Sequence, residues 1–213
     1  MNDEKHAEEP AGLGPTEEPR KRKTFVGYFL PSTSVPLATW GIFAALTTVF
    51  TVLVTIPIPA TSGFFNIGEV GVMLTGLLFG PIIGGLAGGT GSALADVLLG
   101  YSYYAPITLV VKGLEGFVVG LLSNPKSLGR GKLYPRQVVA VAAGGTVMVL
   151  GYFLAEVRMY GFPSAWFEAI YANLFQALVG AVVSLAVAAG ARNAINRSFP
   201  EFVSKIYRTT DHK

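Results

Sequence analysis

Long apolar runs separated by short polar breaks dominate the chain. With about 20 apolar residues needed per bilayer crossing, the pattern predicts spans over Leu37–Ile56, Phe64–Phe79, which is short, Pro81–Leu99, Ala105–Leu122, Val138–Leu154 and Phe167–Ala191. Six crossings return the chain to its starting side. The expected fold is therefore an all-α membrane protein, six transmembrane helices in a compact bundle with both termini cytoplasmic. Residues 1–24, rich in Glu and Pro and closed by Arg20, Lys21, Arg22 and Lys23, read as a disordered tail. Residues 25–197 form the membrane domain. Within 198–213, Phe199, Phe202, Val203, Ile206 and Tyr207 recur at helical spacing, with Ser198 and Glu201 placed as a capping box. That predicts a short amphipathic helix lying along the membrane surface or docking on a partner subunit.

Polar residues inside the apolar runs are the informative ones, because each costs free energy in lipid. At about 1.5 Å per residue, Lys112 lies about 9 Å and Glu115 about 13 Å from the outer end of the fourth run. Asp96 is about 6 Å in from Gly100, and Asn173 and Gln176 are about 9 and 13 Å in from Phe167. Asn66, Glu69, Glu156 and Glu168 fall near the outer rim. Thr108, Lys112 and Glu115 share one helix face, and Ala169, Asn173, Gln176 and Gly180 share another. The inner halves carry almost no ionisable group, which predicts a pocket open outward and plugged inward. In the competing reading, Lys112, Glu115 and Asp96 only neutralise one another in a protein of structural or sensory class that binds no ligand.

Composition narrows the chemistry. Of 213 residues 51% are hydrophobic and 14% charged, against roughly 25% charged in soluble domains. Basic residues lie on one side: four in Arg20–Lys23, then Lys126, Arg130, Lys132 and Arg136, then Arg192, Arg197, Lys205, Arg208 and Lys213, with Arg158 opposite. Positive residues stay in the cytoplasm, which fixes the expected orientation. The net charge of +3 is too small to point to nucleic acid. No Cys is present, and the two His, His6 and His212, sit in the tails. That excludes thiolate chemistry, a membrane Ser/His dyad and a His-rich metal site. Asp96, Glu115 and Glu69 stand on separate runs, so no paired-carboxylate motif suggests an intramembrane enzyme. No catalytic residue, metal or cofactor is expected.

The third run repeats small residues four apart, Gly84/Gly88, Gly85/Gly89, Gly88/Ser92 and Gly91/Ala95, a pattern that lets helices approach closely in lipid. No Lys-Ser or Lys-Thr follows these glycines, so they are not a phosphate-binding loop and the chain does not hydrolyse ATP. The first run has Gly41/Ala45 and Ala44/Thr48 at the same spacing, serving either internal packing or docking of another membrane subunit, with Trp40 marking the cytoplasmic interface. The Pro57–Gly68 loop is either a lid over the pocket or a simple connection.

Several segments occur in a familiar order: Phe65-Asn66-Ile67-Gly68-Glu69, Phe79-Gly80-Pro81, Gly91-Ser92-Ala93-Leu94-Ala95-Asp96, Tyr104-Ala105-Pro106 and Lys112-Gly113-Leu114-Glu115-Gly116. Over about Leu37–Arg192 the chain resembles the substrate-binding S component of energy-coupling factor (ECF) transporters, closest to the riboflavin-type branch. The resemblance implies a water-soluble vitamin or related micronutrient bound near the outer face for ATP-driven uptake. It also implies association with a transmembrane coupling subunit and two cytoplasmic ATPases. The small residues of the first helix, here Gly41, Ala44 and Ala45, would meet the coupling subunit, and the protein would topple in the membrane to carry its occupied site inward. The binding residues expected on this basis and from depth are Asn66, Glu69, Asp96, Tyr104, Lys112, Glu115, Trp166, Asn173 and Gln176. The substrate stays open: Phe64, Phe65, Tyr104 and Trp166 would suit a flavin ring, whereas Lys112 beside Glu115 would suit a zwitterionic or anionic nutrient.

Overall fold

The computed structural model describes residues 23–127 and 133–206; the tail read as disordered lies, up to residue 22, outside them. A small hairpin, β1 (Thr24–Phe25) and β2 (Tyr28–Phe29), precedes α1 (Ser34–Leu53). A second hairpin follows, β3 (Thr55–Ile58) paired antiparallel with β4 (Gly63–Asn66), in register Thr55 with Asn66 and Ile58 with Gly63. Then come α2 (Gly68–Phe79), α3 (Pro81–Leu98), α4 (Ala105–Ser123) and α5 (Pro135–Tyr160). The last long helix begins as α6 (Phe162–Glu168), passes through a π-helical turn (Ala169–Asn173), continues as α7 (Leu174–Ser198), and is followed by α8 (Pro200–Ile206).

The all-α expectation is corrected at the two hairpins. Thr55, Ile56 and Phe64–Asn66, predicted to be helical, are strand. Pro57 and Pro59 lack the N–H that a helix interior needs, and Val54, Thr55, Ile56 and Ile58 are β-branched, as strands favour. At the other end of α2 a single residue turns the chain into α3. Gly80 has φ +85°, its face is covered by the Tyr28 ring, and Pro81 starts the next helix at the position where its missing N–H costs nothing.

Helix contacts inside the bundle depend on absent side chains. A Cβ on Gly84 would lie 2.7 Å from the carbonyl oxygen of Gly116 and 2.7 Å from Cα of Gly76, so α2, α3 and α4 meet backbone to backbone. The two small-residue lines of α1 separate. Thr48 donates to the Gly91 carbonyl on α3 at 2.8 Å, and a Cβ on Gly91 would strike the Ala44 backbone, so the Ala44/Thr48 line is internal packing. Around Gly41 there is open space, and Ala45 is exposed. Trp40, expected to mark the interface, donates Nε1 to Thr90 Oγ1 at 3.1 Å and ties α1 to α3.

The tail helix also differs from expectation. Val203 and Ile206 are buried in the main apolar core with Tyr28, Leu77, Phe79, Ile83, Val119 and Val141. Val203 and Ile206 thus face the core of this chain, with Phe202 packed against it, while Phe199 is exposed. Ser198 ends α7 instead of capping α8; Tyr207 lies outside the described residues.

Ser34–Leu53, Ala105–Ser123, Pro135–Tyr160 and the continuous Phe162–Ser198 are long and apolar enough to cross a membrane. At 12 residues, α2 measures about 18 Å and is short for a crossing. Exposed Ile42, Val49, Leu53, Val110, Leu114, Val139, Leu154, Leu178 and Val182 give the bundle an apolar exterior, the surface that lipid requires.

Candidate ligand-binding site

The β3–β4 end of the bundle gathers the buried acidic side chains together with Lys112, Asn66, Asn173 and Gln176, while Gln137 and Arg192 are buried elsewhere. Lys112, on the inward face of α4, pairs with Glu69 from the first turn of α2 and with Glu115 one turn along its own helix, where Nζ–Oε2 is 3.3 Å. Gln176 on α7 extends the group. Its Nε2 donates to Glu69 Oε1 at 2.9 Å, and its Oε1 accepts the backbone N–H of Asn66 at 2.8 Å. Asn66 in turn accepts the N–H of Gly68 at 2.8 Å, which satisfies one of the free amides at the start of α2. One side chain therefore joins the ion pairs to the base of the hairpin. Gly180, one turn further along α7, lets that helix close on the Glu69 side chain, since any Cβ there would strike it.

Above this floor lies a cavity that opens to solvent; the empty space in it and its mouth, open solvent included, is about 440 Å³. Asn66, Asp96, Tyr104, Thr108, Lys112, Tyr152, Glu156, Glu168, Asn173 and Gln176 line it, with Gly63 and Phe64 of the hairpin on one side. Tyr104 donates to the Thr61 carbonyl at 3.2 Å and Tyr103 to the Ser62 carbonyl at 2.6 Å, so the α3–α4 connection holds the hairpin tip. Phe64 packs on Tyr101 with ring centres 4.7 Å apart. Tyr152 donates to Thr108 Oγ1 at 3.0 Å and turns its ring to Lys112, 5.7 Å from Nζ. Glu156 comes from α5 and Glu168 from the end of α6, the latter resting against Gly63. Several lining atoms have no protein hydrogen-bond partner: both carboxylate oxygens of Glu156, Glu168 Oε2, Asp96 Oδ2, Asn173 Nδ2 and Ser92 Oγ.

Asn66, Asp96, Tyr104, Lys112, Asn173 and Gln176 thus come together around one cavity, with Glu69 and Glu115 in its floor. Trp166 stands apart. It is 52% exposed and stacks on Phe162 at 5.9 Å, because the helical phase of α6 that buries Ala165 and Glu168 turns it outward. Glu69, expected near the rim, is fully buried: the preceding residues are strand, so α2 begins beneath the hairpin. Glu69 rather than Asp96 is the partner Lys112 finds, and the two acids read as isolated on separate runs share that cation. Held this way, Lys112 is no open hook for an anionic nutrient. Sequence reasoning did not select Thr51, Ser92, Thr108, Tyr152, Glu156 or Glu168 as binding residues. The face that Thr108 shares with Lys112 on α4 is a signal for Thr108. The inward turn of Glu156 and Glu168 follows from how α5 and α6 meet at Gly161, which no local pattern encodes.

A helical bundle with an apolar exterior and its buried carboxylates gathered at one end defines a multi-pass membrane protein. The family model described as ECF-type riboflavin transporter, S component, matches residues 33–192, and the chain belongs to that S-component family, which is one of transporters rather than enzymes. An uncharacterised protein of Pyrococcus woesei is 45% identical over 136 residues, 64% of this chain and 87% of that one. The thiamine precursor transporter HmpT of Lactococcus lactis is 32% identical over 145 residues, 68% of this chain and 80% of its own. A UPF0397 protein of Streptococcus gordonii is 31% identical over 154 residues, 70% and 80% of the two chains.

Proposed function

We propose that this protein captures a small water-soluble vitamin-type molecule in the cavity beneath the β3–β4 hairpin, as the S component of an importer in the cell membrane. A transmembrane coupling subunit and two cytoplasmic ATPases supply the energy. The observation that carries this reading is the convergence of partnerless buried polar atoms from α3, α5, α6 and the π-helical turn on one cavity. A cluster serving only the fold has no need to gather such atoms from four elements around one opening. Asn66, Asp96, Tyr104, Lys112, Asn173 and Gln176 contact the ligand, with Glu69 and Glu115 fixing the Lys112 ammonium below it. The hairpin end faces outward in a six-span topology. Lys126, Arg136, Arg192, Arg197 and Lys205 belong to the opposite end, which is cytoplasmic together with both termini. The exposed Gly41/Ala45 line on α1 receives the coupling subunit.

Riboflavin is the substrate in the family description, and a thiamine precursor that of one relative. Absorption and mass spectra of molecules released by denaturing freshly purified protein test the reading. A stoichiometric vitamin-type ligand is expected. Its reproducible absence from protein grown on several media overturns the proposal.

A further inference from the structure

Charge in the cavity is unbalanced. Five carboxylates, Glu69, Asp96, Glu115, Glu156 and Glu168, gather in its walls and floor, and the lining contributes one cation, Lys112. Lys112 is committed to Glu69 and Glu115. The other three acids come from α3, α5 and α6, and each has at least one oxygen without a protein donor. Glu156 and Glu168 face each other beside Tyr104, and Glu156 is only 1% exposed. Carboxyl groups removed from water need a compensating positive charge, strong donors or a proton; Glu156 has Glu168 and Tyr104 beside it and Asp96 has Thr108, but no basic side chain other than Lys112 lines the cavity.

The remaining walls suit a cation too. Tyr104, Tyr152 and Phe64 line the cavity, and an aromatic face attracts positive charge through its quadrupole. The Tyr152 ring already carries an ammonium 5.7 Å from its centre. Asn173 and Ser92, both buried and lining the cavity, each keep a polar atom without a partner, which gives a ligand further points of orientation. No group of three or more His, Cys, Asp or Glu among the described residues is arranged to hold a metal ion, and the aromatic and amide groups of the lining suit an organic cation.

We infer that the cavity takes an organic cation of vitamin size, a nitrogen heterocycle or amine whose positive charge lies among Asp96, Glu156 and Glu168 with its ring against Tyr104 and Tyr152. This rests on the binding role proposed above and assigns its ligand class, distinct from a neutral flavin.

The test uses the full chain in detergent, stripped of ligand, with thiamine as a permanently cationic probe, riboflavin as a neutral one, and pantothenate and biotin as anionic ones. Thiamine is expected to raise the melting temperature and to bind at least tenfold more tightly than the others. Glu156→Gln and Glu168→Gln should each weaken thiamine at least tenfold while the ligand-free protein melts no lower than the parent. Tighter binding of riboflavin, pantothenate or biotin overturns the charge assignment and leaves the capture function standing. If no probe binds, the molecule released from freshly purified protein decides: retention on a cation exchanger at pH 7 supports the inference, and flow-through overturns it. Protein that binds no probe and releases no ligand overturns both readings.

Discussion

The two ends of the bundle are held together by different means. Away from the β3–β4 hairpin, Leu77, Phe79, Ile83, Val119 and Val141 fill an apolar core, and Gly76, Gly84 and Gly116 bring three helices into backbone contact. Near the hairpin, directed polar bonds between Lys112, Glu69, Glu115 and Gln176 replace that fit, and a cavity stays open. Among the described residues, every carboxylate oxygen that is buried without a hydrogen-bond partner belongs to the hairpin end. Helices in lipid gain little from hiding apolar surface against one another, because the tails are equally apolar. Shape must close one end, and what closes the other is free to leave room for a guest.

Substitutions rank this contrast by size of effect. Gly84→Leu should be the most damaging, because its Cβ meets the backbone of two neighbouring helices, which cannot move aside as side chains can; a loss beyond the roughly 1–3 kcal/mol typical of overpacking is expected, seen as aggregation or early melting in detergent. Parent-like melting would mean that the closed end is not held by shape. Lys112→Met leaves Glu69 and Glu115 buried without their cation and should cost about 3–5 kcal/mol. Adding Glu69→Gln and Glu115→Gln should recover most of that loss while ligand capture stays abolished. A Lys112→Met protein that melts like the parent would remove the ion pairs from the account of the open end.

Smaller effects follow at the hairpin and the exterior. Gln176→Leu frees the Asn66 amide and should destabilise by about 1–3 kcal/mol, with faster hydrogen exchange confined to β3 and β4. Uniform acceleration across the bundle would show that hairpin and helices are a single unit. Gly41→Leu adds a side chain in open space, so melting should shift by less than about 0.5 kcal/mol with ligand affinity unchanged and cellular uptake lost. An earlier melt would place that face inside the fold.

The helices were largely legible because lipid demands a long apolar run for each, and the face Ala169, Asn173, Gln176, Gly180 is buried as its spacing implies. That face survives a π-helical turn over Ala169–Asn173, a feature with no mark in the residues themselves and one often found at functional sites. The β3–β4 hairpin was hidden because Phe64, Phe65 and Ile67 continue the apolar run of α2, and hydropathy alone cannot tell strand from helix there. Partner choice was the least legible part. That Lys112 meets Glu69 rather than Asp96 depends on where α2 starts relative to α4, a matter of three-dimensional register.

The attachment of the hairpin through Gln176 also bears on how such a protein can diversify. The bond at its base is made to a peptide N–H, and the bonds at its tip to the carbonyls of Thr61 and Ser62. None of the three reads a hairpin side chain. The exposed tip residues Pro59 and Ala60 can therefore be exchanged without loosening the roof, whereas Thr61 and Gly63 are buried and Phe64 packs on Tyr101. A lineage, or a protein engineer, can retune what enters the chamber by rewriting a few solvent-facing positions while the buried frame is inherited intact.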